Sequence, residues 1–259
     1  MELLLGREGV NPDAPDKGGR TPLSWAAEKG LPGAVELLLG REGVNPDAPD
    51  KGGRTPLSWA AGDGLPGALE LLLGREGVNP DTPDKGGRTP LSWAVGMGRH
   101  QAVELLLGQE GVNPNMPDKR GRTPLSWAAG NPYRGTEAVR PLLGREDVSP
   151  DMPDKSGRTP LSWAAGGGRH EEVELLLGRE DVNPNMPDKR GQTPLSWAAE
   201  GSHFEVVELL LGREGVNPYV PDNRGRTPLS RVTRKGRDRV AKLLLEREGV
   251  DSGMPTRTA

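Results

Sequence analysis

The chain repeats itself every 34 residues, and this period constrains its fold more than any other feature. The tetrapeptide Thr-Pro-Leu-Ser occurs at spacings of 34, 34, 34, 36, 34 and 34, beginning at Thr21, Thr55, Thr89, Thr123, Thr159, Thr193 and Thr227. Without a period, the 38 Gly and 26 Pro residues would predict a disordered chain. A fixed period instead predicts units that stack, each burying its apolar faces against its neighbours.

Each repeat predicts two short helices and a loop. Thr21 is a good N-cap residue, and Pro22 suits the first helical position. The mostly apolar segment that follows ends at Gly30, and a Leu-rich second helix ends at Gly40. Residues 11–20, rich in Pro, Asp and Gly, predict an extended stretch with a sharp turn.

The segment Asp-Lys-Gly-Gly-Arg-Thr-Pro-Leu-Ser-Trp-Ala-Ala, residues 16–27, resembles the ankyrin repeat pattern Asp-x-x-Gly-x-Thr-Pro-Leu-His-x-Ala-Ala. The resemblance covers nearly the whole chain. It implies an all-α ankyrin-repeat solenoid of stacked helix–turn–helix units with hairpin loops. It also implies one domain over residues 1–250, made of a half repeat and seven repeats, and a disordered tail over residues 251–259.

Two details refine the resemblance. Serine stands in all seven repeats where the family has histidine, so the inter-repeat hydrogen bonds of that histidine are in question. The Asn-Pro-Asp-x-Pro-Asp loop and the Ser-Trp pair look like ankyrin arrays of fungal proteins. There the array commonly follows a nucleotide-binding NACHT-type domain of a receptor-like (STAND) protein, which would make this chain a sensor array.

Composition excludes several kinds of chemistry. The chain has no Cys, so thiolate catalysis and Cys-based zinc sites are excluded. Its three His residues lie one to a repeat and do not form a metal-ligand set, and no phosphate-binding glycine loop is present. We therefore expect no enzyme activity, no metal and no cofactor. The net charge of -3 gives no general attraction to nucleic acid, and no apolar run is long enough to cross a membrane. We expect a cytoplasmic monomer.

Six tryptophans recur at one position of the repeat: Trp25, Trp59, Trp93, Trp127, Trp163 and Trp197. One interpretation is an aromatic ladder on which bases or a cofactor stack. The family resemblance favours the other interpretation, in which each tryptophan packs in the core between the two helices of its repeat. We predict core packing.

The loop tips carry a basic residue in almost every repeat. The candidate contact residues there are Lys17, Arg20, Lys51, Arg54, Lys85, Arg88, Lys119, Arg120, Arg122, Lys155, Arg158, Lys189, Arg190 and Gln192. They could form an electrostatic site for an acidic partner or RNA. Each tip also carries acid, so solubility and local pairing are the alternative.

The most informative differences lie between near-identical copies. Residues 6–39 and 40–73 differ at three places, and two of them, Glu28/Gly62 and Lys29/Asp63, directly follow the Ala-Ala of the first helix. In the ankyrin family this position faces the concave binding surface. We therefore add a second set of candidate contacts, Glu28, Lys29, Asp63, Met97, Asn131, Tyr133 and Glu200.

The period is broken in three places. The fourth repeat has a two-residue insertion, and its second helix contains Pro141, which predicts a kinked or shortened helix at residues 140–143 and a weak joint. The seventh repeat has Arg231 in place of tryptophan and is strongly basic, which suits either a polar end cap or an anion-binding patch. Residues 1–6 form half a unit, which predicts a fragment of a longer array.

The sequence thus predicts a non-catalytic scaffold that binds a protein of unknown identity through its concave loop and first-helix surface. Nucleic-acid or anion binding through the basic tips and the basic last repeat is the alternative. A purely structural spacer, in which no surface residue matters, is the third possibility.

Overall fold

A computed structural model describes residues 11–132, 135–232 and 237–251, and these contain helices, turns and loops but no strand. The predicted half repeat at residues 1–6, Tyr133 and the tail beyond Asp251 lie outside the described residues. The all-helical class predicted from the sequence is confirmed.

The helices alternate along the chain as a first and a second helix of each repeat. The first helices are α1 (Pro22–Glu28), α3 (Pro56–Asp63), α5 (Pro90–Gly96), α7 (Pro124–Ala129), α9 (Pro160–Gly166), α11 (Pro194–Gly201) and α13 (Pro228–Arg231). The second helices are α2 (Pro32–Leu39), α4 (Pro66–Leu73), α6 (His100–Leu107), α8 (Gly135–Leu143), α10 (His170–Leu177), α12 (Phe204–Gly212) and α14 (Arg237–Asp251).

The chain divides into two compact units, Met1–Ala128 and Ala129–Ala259. In the first unit, α1, α3 and α5 pack side by side, and so do α2, α4 and α6. In the second unit the same holds for α9, α11 and α13, and for α8, α10, α12 and α14. Within each unit the stack therefore has two layers, one of first helices and one of second helices.

Threonine caps start the first helices as predicted. The Thr21 side chain accepts a hydrogen bond from the backbone N–H of Ser24, at 3.2 Å, and Pro22 occupies the first turn. The same cap recurs in α3, α5, α9 and α11. The Ser24 hydroxyl, which replaces the family's histidine, is buried and lies 3.2 Å from Thr21 Oγ1 of its own repeat. This serine therefore reinforces the local cap.

The core consists of aliphatic side chains from both layers. Leu23 and Ala27 of α1 and Val35 and Leu38 of α2 are fully buried, and their counterparts recur through the chain. The prediction that the tryptophans pack between the helices is wrong, since Trp25 is 39% exposed and the other five are partly exposed. Positions 23, 26 and 27 share one face of a helix at the spacing i, i+3, i+4, and position 25 points away from that face.

Helix α8 runs through Pro141 and is not shortened. It spans Gly135–Leu143 and is closed by a hydrogen bond from the Gly144 N–H to the Arg140 carbonyl, at 3.0 Å. The prediction of a shortened helix is therefore wrong, while a kink at residues 140–143 stays a prediction. Proline removes only its own N–H, and its position in the last turn leaves the closing bonds intact. A weak joint at this repeat stays a prediction.

Candidate interaction surface

An aspartate organises the turn of each loop. Asp16 Oδ1 accepts hydrogen bonds from the backbone N–H groups of Gly18 and Arg20, at 2.7 and 2.9 Å. The bond from Arg20 is the main reason that the pKa of Asp16 lies below its ordinary value. The same pair of bonds forms at Asp50, Asp84, Asp118, Asp154, Asp188 and Asp222. The turns are therefore built alike in every repeat.

Backbone hydrogen bonds join consecutive loops within each unit. The N–H of Lys51 donates to the carbonyl of Gly18 at 2.8 Å, and equivalent bonds join Lys85 to Gly52 and Lys119 to Gly86. In the second unit, Lys189 donates to Ser156 and Asn223 to Arg190. The loops approach closely enough that a Cβ added at Gly53, whose φ is +84°, would lie 2.7 Å from the Lys85 nitrogen. The tips are thus held in fixed positions before any partner binds.

A second column of aspartates also links the loops. Oδ2 of Asp47 accepts the backbone N–H of Asn79 at 2.7 Å, and Oδ2 of Asp81 accepts that of Asn113 at 2.7 Å. The other oxygen, Oδ1, of each of these carboxylates is buried without a hydrogen-bond partner. Burial is the main cause that raises the pKa of Asp47 and of Asp81 above the ordinary value. Each of these carboxylates therefore connects two repeats with one oxygen, while its other oxygen accepts no hydrogen bond.

At the equivalent position of the sixth repeat the chain has Asn185. Its Oδ1 accepts the N–H of Asn217 at 2.9 Å, as the aspartates do. Its amide nitrogen donates to the carbonyl of Gly215 at 2.6 Å. The amide therefore satisfies the atom that the carboxylates leave without a partner.

The tryptophans and loop arginines alternate on the surface as a stack, which we call the arginine–tryptophan ladder. The guanidinium carbon of Arg20 lies 3.8 Å from the ring centroid of Trp25 and 3.7 Å from that of Trp59. Arg54 lies in the same way between Trp59 and Trp93, at 3.4 and 4.0 Å. In the second unit, Arg158 lies between Trp163 and Trp197, at 3.8 and 4.0 Å. Such contacts contribute about 0.5–1 kcal/mol each at exposed sites and more when desolvated.

The turn aspartates tie this ladder to the loops. The indole N–H of Trp25 donates to Asp16 Oδ2 at 3.0 Å, and that of Trp59 donates to Asp50 Oδ2 at 3.2 Å. Burial lowers the pKa of the Arg54 guanidinium. One carboxylate therefore shapes the turn with one oxygen and holds the indole with the other.

The predicted tip residues separate into an exposed and a covered set. Lys17, Lys51, Lys85, Lys119, Arg120, Lys155, Lys189 and Arg190 are exposed. Arg20, Arg54, Arg88, Arg122 and Arg158 are partly buried, each with its guanidinium over a tryptophan, and Gln192 is buried. The lysines are thus more accessible to a partner than the arginines five residues before each tryptophan.

The candidate residues after each Ala-Ala separate in the same way. Glu28 is ion-paired with Arg20 of the ladder, and Glu200 is ion-paired with Arg231. The side chains one residue further along, at the position of Lys29, point toward solvent. Lys29 and Asp63 are exposed, the Met97 side chain is 52% exposed, and Asn131 is partly exposed.

The ladder is broken at the last joint, between the sixth and seventh repeats. Gln192 stands where an arginine would stack, and Arg231 stands where a tryptophan would lie. Arg231 is only 9% exposed and pairs with Asp222, at 2.6 Å, and with Glu200. It is therefore a buried ion-pair centre. The choice between a polar end cap and an anion-binding patch for the seventh repeat as a whole stays a prediction.

Sequence reasoning missed the ladder, although one signal for it was present. An arginine precedes tryptophan by five residues in each of the first five repeats, from Arg20 and Trp25 to Arg158 and Trp163. At the last joint both members of the stack, the arginine at 192 and the tryptophan at 231, are replaced. A paired replacement of this kind indicates two residues that depend on each other.

Among the described residues, no group of three or more His, Asp or Glu side chains could hold a metal ion. In that same part of the chain, no helix is both long and apolar enough to cross a membrane.

Comparison with known proteins gives consistent results. A family model described as ankyrin repeats in three copies matches residues 1–84, 59–147, 131–222 and 180–255. The ankyrin repeat domain of Bcl-3, described as a unique member of the IkappaB protein family, is similar in structure with a TM-score of 0.74. It is 28% identical, and the match covers 89% of this chain and 100% of that one.

A second solved structure, the ankyrin repeat protein EF0377, has a TM-score of 0.67 and 24% identity, over 73% of this chain and 96% of that one. At this identity the likeness concerns the fold alone. No curated protein sequence matches the chain.

Proposed function

This chain belongs to the ankyrin repeat family, and on that premise we propose that it binds a protein partner through its loop tips and the exposed column that follows the first helices. Ankyrin repeat domains are generally protein-interaction modules and typically non-catalytic. The finer assignment, to particular residues, is argued from the contacts and exposures of the side chains.

The observation that carries the proposal is chemical diversity on a constant framework. Lys29, Asp63 and Met97 occupy one repeat position, are all exposed, and are basic, acidic and apolar. The turns, caps and ladder contacts around them recur from repeat to repeat. A position that varies while its supports stay the same is what a recognition surface requires, because contacts can change without loss of the fold.

The rigidity of the framework supports the same proposal. The aspartate turns and the backbone bonds between loops fix the tips before a partner arrives, so binding would order few groups. A small number of exposed side chains would then provide most of the binding free energy. The exposed Met97 is the best single candidate for an apolar contact.

Nucleic-acid or anion binding is the alternative function. What favours a protein partner is that the ladder arginines have their guanidinium faces covered by indoles, as Arg54 does between Trp59 and Trp93. A phosphate-dominated interface would have to rely on the exposed tip cations, such as Lys17 and Arg120, and its affinity would fall steeply with salt.

The test compares two triple variants of the full chain. Lys29→Ala, Asp63→Ala and Met97→Ala together remove the exposed column of the first unit. Glu36→Ala, Glu70→Ala and Glu104→Ala remove three exposed side chains from the second helices and serve as the control. Proteins captured by the wild type are identified, and each is measured individually against both variants.

We expect the captured partner to bind the control with unchanged affinity and the column variant at least about tenfold more weakly, which corresponds to about 1.4 kcal/mol. Equal affinity of the partner for the wild type and the column variant would refute the surface assignment. Loss of binding in both variants would point to the second helices instead.

The cellular context stays a proposal that rests on sequence patterns alone. The Asn-Pro-Asp-x-Pro-Asp loop and Ser-Trp pair suggest the sensor array of a fungal receptor-like protein with a NACHT-type domain. A cytoplasmic location and a monomeric state are proposed on the same basis. A full-length transcript that encodes an upstream nucleotide-binding domain would support this context, and one without it would contradict it.

A further inference from the structure

The break in the arginine–tryptophan ladder leaves a polar cavity. Gln192 and Arg231 replace the arginine and tryptophan that would otherwise fill this joint, and both line a cavity of about 450 Å³. The corresponding joint between the third and fourth repeats, where Arg88 and Trp127 are both present, has a cavity of about 360 Å³. The last joint is therefore the roomier of the two, and it has no indole in its wall.

The cavity wall carries an excess of positive charge. Five of its side chains are basic, namely Lys189, Arg190, Arg224, Arg226 and Arg231, and two are acidic, namely Glu200 and Asp222. Five minus two leaves a net charge of +3. The acids are already engaged, because Arg231 pairs with both and Arg226 pairs with Asp222 at 2.9 Å.

Three cations at the cavity have no carboxylate of their own. Lys189, Arg190 and Arg224 are exposed, and none of their side chains forms an ion pair with an acid in the described part of the chain. Their backbones are fixed nevertheless. The carbonyl of Arg190 accepts the N–H of Asn223, and the N–H of Arg224 donates to Asp222 Oδ1 at 2.9 Å. The charged heads therefore emerge from rigid turns next to the cavity.

Arg231 adds a polar atom that the fold leaves without a partner. Its side chain is 5% exposed and uses both terminal nitrogens on the two acids. Its Nε is buried and has no hydrogen-bond partner. A buried donor of this kind favours a ligand that brings an acceptor.

We propose that this cavity binds a carboxylate side chain from an acidic segment of the protein partner. The inference rests on the proposed function and names the chemistry of one contact. Arg190 and Arg224 would grip the carboxylate, since the forked donors of a guanidinium match its two oxygens. Lys189 would supply a third positive charge at the rim.

The proposed protein partner favours a carboxylate over a phosphate as the ligand, since Asp and Glu supply carboxylates in any unmodified protein. Glu200 and Asp222 line the same cavity and offset part of its positive charge. A phosphate group carries about -1.5 to -2 charges at pH 7, so its attraction to the cations and its repulsion by these acids are both larger than those of a carboxylate. Charge alone therefore does not select the carboxylate, and the nature of the partner does.

The key experiment narrows the cavity and makes it more positive at the same time. Gln192→Arg restores the residue that the first five repeats carry at this position, so it adds one positive charge while occupying part of the space. Gln101→Arg adds the same charge at an exposed site on α6 and is the control. The probe is a fluorescein-labelled octaglutamate peptide, and binding to the full chain is followed by fluorescence anisotropy.

We expect Gln192→Arg to weaken peptide binding about tenfold or more despite its added charge, and Gln101→Arg to leave binding unchanged or slightly tighter. Tighter or unchanged binding to Gln192→Arg would overturn the proposal, because charge alone would then explain the affinity. A melting temperature at or above that of the wild type shows that the variant is folded.

A second pair of variants tests the gripping cations independently. Arg190→Glu with Arg224→Glu should reduce octaglutamate binding at least about tenfold, whereas Arg41→Glu with Arg75→Glu, at exposed sites that follow second helices, should reduce it far less. Equal losses in both pairs would overturn the site. Tighter binding of an eight-nucleotide single strand or of inorganic phosphate than of the peptide would overturn the carboxylate assignment.

These results are separable from the proposed function. The peptide assay does not involve Lys29, Asp63 or Met97, and the partner assay above does not involve Gln192 or Arg190. Failure of the peptide assay alone would remove this contact and leave the exposed column in place.

Discussion

Replacing two half-satisfied aspartates by asparagine should stabilise the protein. Asp47 and Asp81 each hold the next loop through Oδ2, while Oδ1 is buried without a partner. Asn185 shows the alternative, since its amide nitrogen donates to the Gly215 carbonyl at 2.6 Å. The new asparagines at positions 47 and 81 would donate to the carbonyls of Gly77 and Gly111, which are the counterparts of Gly215. The φ angles of these two glycines, +87° and +86°, are close to the +84° of Gly215, so the local backbone is alike.

The magnitude follows from the groups involved. An unsatisfied buried polar atom costs about 1–3 kcal/mol, and a new hydrogen bond contributes about 0.5–1.5 kcal/mol net. We expect Asp47→Asn and Asp81→Asn each to raise the free energy of unfolding by about 1 kcal/mol at pH 7. For a chain of this size, the double variant should melt about 4–8 °C higher.

The effect should depend on pH with a definite sign. Burial raises the pKa of both carboxyls above the ordinary value of 3.8. A raised pKa in the folded state means that the carboxyl stabilises the fold fully below its unfolded pKa, and that this contribution is lost as the pH rises through the folded pKa. The advantage of asparagine should therefore be largest at pH 7 and shrink toward pH 4.

The assay is urea denaturation followed by circular dichroism at pH 7 and pH 4, with Glu70→Gln as a control that removes one exposed charge. A midpoint that falls in the double variant, or a gain that is the same at both pH values, would refute the reasoning. So would an equal gain in the control, since it would show that net charge alone matters.

Three other substitutions test separate parts of the fold. Arg54→Lys should lower the free energy of unfolding by about 1–2 kcal/mol in urea denaturation, about twice the loss for Arg88→Lys, because Arg54 stacks on two indoles and Arg88 on one in the described residues. Equal losses would contradict a role for two-sided stacking. Gly53→Ala should destabilise more than Gly43→Ala in thermal melts, because both have positive φ but only the former brings a Cβ within 2.7 Å of the next loop. Pro141→Leu should slow amide hydrogen exchange in α8 by restoring one helix bond, worth up to about 3 kcal/mol, and unchanged exchange would count against a weak joint there.

Much of the fold could be predicted because its determinants are local. Thr21 and Pro22 define a helix start from their own chemistry, and Gly30 and Gly40 follow the ends of α1 and α2. The period then extends each local prediction to all seven repeats. Local rules of this kind need no knowledge of tertiary contacts.

The tryptophans were misplaced because their environment is not local. In a mostly apolar helix of seven residues, hydrophobicity alone assigns the tryptophan to the core. Only the spacing of Leu23, Ala26 and Ala27 shows that the indole lies on another face of the helix. Its two faces are covered by an arginine of its own loop and by one from the preceding repeat, as Trp59 is by Arg54 and Arg20. The contact between Arg20 and Trp59 spans 39 residues of sequence. It cannot be predicted without knowing how closely the repeats stack.

The candidate site could be predicted in part. The exposed members of the column after Ala-Ala were found because near-identical copies isolate the positions that differ. The cavity at Gln192 and Arg231 was not found, since it arises from two absences in different repeats. The loss of an arginine at position 192 and of a tryptophan at position 231 has meaning only once the arginine–tryptophan contacts of the other repeats are known.

The ladder also bears on how such a chain can change in length over evolution. Arg20, Arg54 and Arg158 each contact the tryptophan of the repeat that follows. A copy of the second repeat, inserted by duplication beside the original, would meet the same two partners on either side. Gain or loss of a whole unit there needs no compensating mutation. A copy inserted after the sixth repeat would place its tryptophan against Gln192, so duplication at that joint would have to be accompanied by further substitutions.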